Sequence, residues 1–98
     1  MLSFSIDQRR IAEFCRKYHV RKLSLFGSVL RDDFRPDSDI DVLVEFDPGH
    51  TPGLSFFTME NELSAILGRR ADLNTRHFLS PYFRGRVEEE AQALYEHA

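Results

Sequence analysis

The stretch Gly27-Ser28-Val29-Leu30-Arg31-Asp32-Asp33-Phe34-Arg35-Pro36-Asp37-Ser38-Asp39-Ile40-Asp41 decides how the chain is read. A glycine-serine turn ends one apolar run, and two alternating carboxylates open the next, which continues through Val42, Leu43, Val44 and Phe46. Side chains alternate across a strand with period two. Asp39 and Asp41 are therefore expected on one face of a strand, roughly 7 Å apart by the rise per residue. Ile40, Val42, Val44 and Phe46 then point the other way, into a core. Two carboxylates that close resist joint ionisation unless a cation lies between them.

Working outward, Val20 to Phe26 reads as the strand that delivers the chain to Gly27, with Leu23 and Leu25 alternating with Lys22 and Ser24. Gly27 permits a tight turn or the close approach of another group. Ser28 is suited to cap a short helix over about residues 29–33, whose N–H groups would face an anion. Upstream, Ser5 to His19 reads as a helix with Ser5 and Gln8 at capping-box spacing and Ile11, Phe14, Cys15 and Tyr18 on one apolar face. Downstream, residues 47–53 form a proline- and glycine-rich loop in which His50 is expected to be solvated. Leu54 to Leu67 is predicted as a helix with Phe56, Met59, Leu63, Ile66 and Leu67 inward, Phe57 beside that face, and Gly68 as its C-terminal cap.

Arg70 to Thr75 is predicted as a third strand, with Ala71 and Leu73 inward and Asp72 facing the same way as Asp39 and Asp41. Ser80 and Pro81 open a helix predicted to run to Tyr95, with Ala93 to Glu96 as an edge strand in the alternative. The order α-β-(α)-β-α-β-α implies an α/β (α+β) fold, a small mixed sheet flanked by helices.

Composition narrows the function. The 98 residues suit one domain, 1–98, with an ordinary hydrophobic fraction of 42% and a charged fraction of 30%. A net charge of −3 gives no basic stripe, so direct nucleic-acid binding is not expected. One cysteine excludes an internal disulfide and fits a reducing compartment. With no signal-peptide pattern and no long apolar run, a cytoplasmic location away from membranes is expected.

Three aspartates on one sheet face beside a phosphate-sized turn suit a hard cation such as Mg²⁺ and a phosphate chain. Two such ions can neutralise a leaving pyrophosphate. Arg31, one helical turn past Ser28, is within reach of the same phosphates. Glycine-serine, ten residues, then Asp-x-Asp arises by chance on the order of once per thousand chains of this length. A calcium loop of the EF-hand type does not fit, because Asp39-Ile40-Asp41 runs into apolar residues rather than further ligands. The pattern points to nucleotidyl or phosphoryl transfer.

At Gly27, Ser28, Arg31, Ser38, Asp39 and Asp41, with Asp72 as a later carboxylate, the chain resembles a minimal nucleotidyltransferase (MNT) domain of the DNA polymerase β-like superfamily. The resemblance extends from the first helix through Tyr95. Where small relatives often carry glycine after the matching arginine, Asp32 and Asp33 follow Arg31 here. The resemblance implies the polymerase β-like nucleotidyltransferase fold, Mg²⁺ (two ions) and ATP as substrate. It implies that Asp39 and Asp41 hold the metals, that Asp72 assists one and activates the acceptor hydroxyl, and that Gly27 and Ser28 hold the triphosphate.

After the sheet and its helices are subtracted, little chain is left to hold an acceptor, so another protein or another copy is expected to supply it. Chains of this kind are similar to the antitoxin of HEPN/MNT toxin–antitoxin pairs, which implies transfer of AMP to a tyrosine of a partner HEPN ribonuclease, in a homo- or hetero-oligomer. The alternative is an antitoxin that neutralises its partner by binding and steric coverage alone.

Overall fold

A computed structural model describes residues 6–27, 39–50, 53–75 and 81–97, with the side chains of 81–84 and 88 outside the description. The first helix, α1, is Gln8–Lys17. Its N-cap is Asp7, with extended backbone and a carboxylate that accepts from the N–H groups of Arg9 (3.1 Å) and Arg10 (3.2 Å). The cap therefore lies two residues after the expected one, Ser5, which is outside the described residues. Asp7 satisfies two N–H groups that the first turn leaves without intrahelical partners. Ile11, Phe14 and Cys15 are buried, and Arg16 and Lys17 sit in the last turn, where positive charge complements the helix dipole. His19, at φ 57°, then reverses the chain in the left-handed conformation.

Strand β1, Val20–Phe26, is central. It pairs antiparallel with β2, Ile40–Phe46, which in turn pairs parallel with β3, Ala71–Asn74. The parallel pair is joined by α2, Ser55–Leu67, as a parallel connection requires. The chain continues through α3, Pro81–Glu90, into β4, Gln92–Glu96, on the other side of β1. The mixed sheet has the order β3-β2-β1-β4.

The expected helix to Tyr95 is thus corrected to a shorter helix and an edge strand, the alternative reading of that segment. Without β4, one row of β1 N–H and C=O groups would lack a strand partner, and tertiary pairing overrides the weak helical preference of Gln-Ala-Leu-Tyr-Glu.

One face of the sheet carries the core. Leu23, Leu25, Ile40, Val42, Val44, Ala71 and Leu73 pack against Ile11, Phe14 and Cys15 of α1 and Met59, Leu63 and Leu67 of α2. Phe56 and Ile66 are half-buried at its margin, whereas Leu54 and Phe57 are 89% and 69% exposed. A register shift between Val20 and Lys22 lets both Val20 and Leu23 face inward, although they are three residues apart. Gly68, at φ 72°, ends α2 as expected. Cys15 is fully buried in the core cluster, and that burial raises its thiol to about 12.

The other face carries Lys22, Ser24 and Phe26 of β1, Asp41, Leu43 and Glu45 of β2, and Asp72 and Asn74 of β3. It is not uniformly polar, since Ser24 and Leu43, opposite each other, are 1% and 4% exposed.

At the end of the sheet away from Gly27, Asp47 N–H donates to the His19 carbonyl (2.9 Å), and the Asp47 carboxylate meets His97 Nε2 at 2.8 Å. His50 is exposed but not merely solvated, since its ring stacks on His19 with centroids 4.0 Å apart. No helix among the described residues is long and apolar enough to cross a membrane.

Candidate active site

The site is assembled where β1 leaves the sheet and β2 enters it. Phe26 and Asp41 are register partners, so Gly27 begins its turn directly beside the Asp41 side chain. Gly27 has φ 76°, which L side chains rarely adopt. A Cβ built there would fall on Asp41 Oδ2 and lie 3.3 Å from Asp41 Cγ. Glycine at 27 therefore serves the backbone conformation and also lets the main chain touch a carboxylate.

The parallel register sets Asp72 opposite Asp41, and the same register makes Asp39, one residue before β2, the neighbour of Arg70. The Ile40 N–H donates to the Arg70 carbonyl at 2.9 Å, which fixes that alignment. The Asp41 carboxyl is raised above its ordinary value, first by burial and then by the charges of Asp72 and Asp39. The three aspartates therefore share one side of the sheet and one electrostatic field.

They do not form a ready cage. Asp39 is half exposed and turns toward Arg70, with Arg70 Nε 3.9 Å from Asp39 Oδ2. Among the described residues, no three His, Cys, Asp or Glu side chains are close enough together to hold a metal ion. Carboxylates repel at short range, and a neighbouring guanidinium gives Asp39 a competing partner.

The donor set still fits Mg²⁺, which usually takes one or two protein carboxylates and completes its shell with water and substrate phosphates. A divalent cation would also reverse the sense of the Asp41 shift, because positive charge favours the ionised form. Gly27 lies at this place, while Ser28, Arg31 and Ser38 are outside the described residues.

Two features escaped the sequence reading. Sequence pattern alone marks Arg70 only as a strand residue, whereas pairing of Asp41 with Asp72 implies that Asp39 faces it. The polar residues of α2 that meet β3 were not singled out either, and their i, i+4 spacing was the available sign.

Residues 8–94 match the nucleotidyltransferase domain family model. The chain is 34% identical over 84 residues to a protein of Methanocaldococcus jannaschii assigned as a protein adenylyltransferase, an alignment covering 86% of this chain and 89% of the relative. It is 40% identical over 62 residues to protein adenylyltransferase MntA of Thermococcus cleftensis, with 62% and 61% covered. A solved structure assigned as a minimal nucleotidyltransferase superposes with a TM-score of 0.70 at 36% identity, covering 86% of this chain and 87% of that one.

Two more distant structures share the fold. One is a toxin–antitoxin with AMP-PNP (TM-score 0.72, 19% identity, 94% of this chain and 75% of that one). The other is a tri-AMPylated Shewanella oneidensis HEPN toxin in complex with MNT antitoxin (TM-score 0.64, 18% identity, 92% and 70%). The chain belongs to the nucleotidyltransferase domain family. It is an enzyme of that family, with the mixed α+β architecture of the minimal nucleotidyltransferases.

Proposed function

We propose that this protein transfers AMP from ATP to a tyrosine hydroxyl of a partner HEPN ribonuclease, in a Mg²⁺-dependent reaction that silences the partner as an antitoxin does. The observation that carries this reading is the Asp41 carboxyl, packed against the Gly27 turn and raised by burial and by Asp72 and Asp39. Relatives assigned as protein adenylyltransferases and a fold shared with an MNT antitoxin on an AMPylated HEPN toxin support the choice of reaction and partner. The AMP-PNP in a second structure of this fold supports ATP as the donor.

In this reading Asp39 and Asp41 hold Mg²⁺, with Asp72 assisting, and the Gly27-Ser28 turn holds the triphosphate beside them. Bound Mg²⁺ supplies charge neutralisation for the phosphates and for the departing pyrophosphate. The tyrosine oxygen attacks the α-phosphorus, its O–P bond forms as the bond to the β-phosphate bridge breaks, and pyrophosphate leaves with that electron pair. Asp72 receives the hydroxyl proton. Arg70, 3.9 Å from Asp39, places a positive charge beside the same carboxylate.

Incubation with Mg²⁺, ATP labelled at the α-phosphate and the HEPN partner should place label on a partner tyrosine. Asp39→Asn with Asp41→Asn should remove it. No transfer with any divalent metal or nucleotide would refute the reading. Protection of cells from the toxin that survives the double substitution would favour steric coverage instead.

A further inference from the structure

Strand β3 is four residues long and lies at the edge of the sheet, yet it carries Asp72. Such a strand has a ladder on one side only, and burial of Ala71 and Leu73 on one face opposes a slip of one residue but not a slip of two. A slip of one residue would turn Asp72 into the core and Leu73 outward. A slip of two would keep the face but move the carboxyl by roughly 7 Å.

The outer edge of β3 is not bare. The Leu73 N–H donates to Glu60 Oε2 at 3.0 Å, and the Ala71 N–H donates to Ser64 Oγ at 2.8 Å. The Ser64 hydroxyl in turn donates to the Glu60 carbonyl at 2.7 Å, which fixes its direction. All three bonds are partly buried. Glu60 and Ser64 are one helical turn apart on α2, so they meet alternate N–H groups of the strand as a neighbouring strand would. Asp72 lies between the two anchored residues, with its Cα partner Asp41 across the ladder.

We infer that Glu60 and Ser64 are positioning residues: they stand in for a fifth strand and lock β3 in the register that presents Asp72 to Asp41. This rests on the role given to Asp72 above. Among the described residues, the hydrogen bonds of both side chains go to backbone groups of α2 and β3, not to Asp39, Asp41 or Asp72 side chains. A displacement of about 1 Å at a reacting centre can cost on the order of 100-fold in rate, so a loose edge would be felt in turnover.

Amide hydrogen exchange, followed by NMR on the whole chain, tests the lock without reference to catalysis. Protection at the Leu73 amide should fall at least about fivefold in Glu60→Ala, the loss of one hydrogen bond, and be retained in Glu60→Gln, which keeps an acceptor oxygen. Transfer assays on the same variants should show kcat reduced about 10- to 100-fold in Glu60→Ala, with KM for ATP within about twofold of wild type, and recovery in Glu60→Gln. Unchanged protection at Leu73 in Glu60→Ala overturns the inference, as does a raised KM at unchanged kcat.

If Glu60→Ala does not fold, Ser64→Ala read at the Ala71 amide, with Ser64→Thr as the conservative rescue, carries the same test. A wild-type chain that labels no partner would defeat the proposed reaction, while the exchange result would still decide whether the helix locks the strand.

Discussion

Asp41 bears a charge that the fold itself resists. Its carboxyl is raised by burial and by Asp72 and Asp39, so folding favours its protonated form. That contribution to stability is complete below the ordinary carboxylate value of 3.8 and is lost as pH rises through the folded value. Asp41→Asn should therefore raise Tm near neutral pH, and the gain should vanish on acidification below the ordinary value. Thermal melts across pH check this, and transfer activity should be lost in the same variant.

Gly27 is the counterpart. Gly27→Ala imposes a left-handed alanine, at about 1–2 kcal/mol, and sets its methyl on the Asp41 carboxylate. A fall in Tm of roughly 4–8 °C per kcal/mol is expected. Combining it with Asp41→Ala should cost less than the sum of the two, because one loss relieves the other.

Among the elements, α1 offers a clean separation of stability from chemistry. Asp7→Ala removes a cap worth about 1 kcal/mol, so Tm should drop by roughly 4–8 °C while the transfer rate at 25 °C stays unchanged. The elements also mark how far sequence patterning reaches. β2, β3 and α2 were legible because their apolar periods are regular and Gly68 closes α2, and β1 because Leu23 and Leu25 alternate even though Val20 breaks the period. The pattern extends the expected helix to Tyr95, with Ala93 to Glu96 as a strand only in the alternative, because nothing local announces that β1 needs a second partner. The facing of Asp39, Asp41 and Asp72 followed from period-two alternation, since it needs only parity along each strand. The Asp39–Arg70 pair and the α2 bonds to β3 depend on which strands adjoin and in what register, which parity alone does not give. Burial of Ser24 and Leu43 on the face that carries the aspartates was hidden for the same reason, as it belongs to packing between elements.

For the whole molecule, the reacting groups and the ties of the opposite end are separated by the length of β2. Asp41 stands near its start, and Asp47, which binds His19 and His97, just past its end. The proposed ligands should therefore act on global stability through the first end alone. AMP-PNP with Mg²⁺ at about 100 times its dissociation constant should add about 2.7 kcal/mol. That corresponds to a rise in Tm of roughly 10 °C or more, measured by differential scanning fluorimetry. Chelation of the metal should remove most of the gain, and Asp39→Asn with Asp41→Asn should abolish it.

The seclusion of Cys15 has a practical side. It is the single cysteine of the chain, buried in the core cluster with Ile11 and Phe14, with its thiol raised by burial to about 12. A maleimide dye reacts with the thiolate and would pass it by in the native state. One cysteine introduced on the surface would thus be the sole attachment point for a fluorophore, and docking of a partner could be followed optically without first deleting a core side chain.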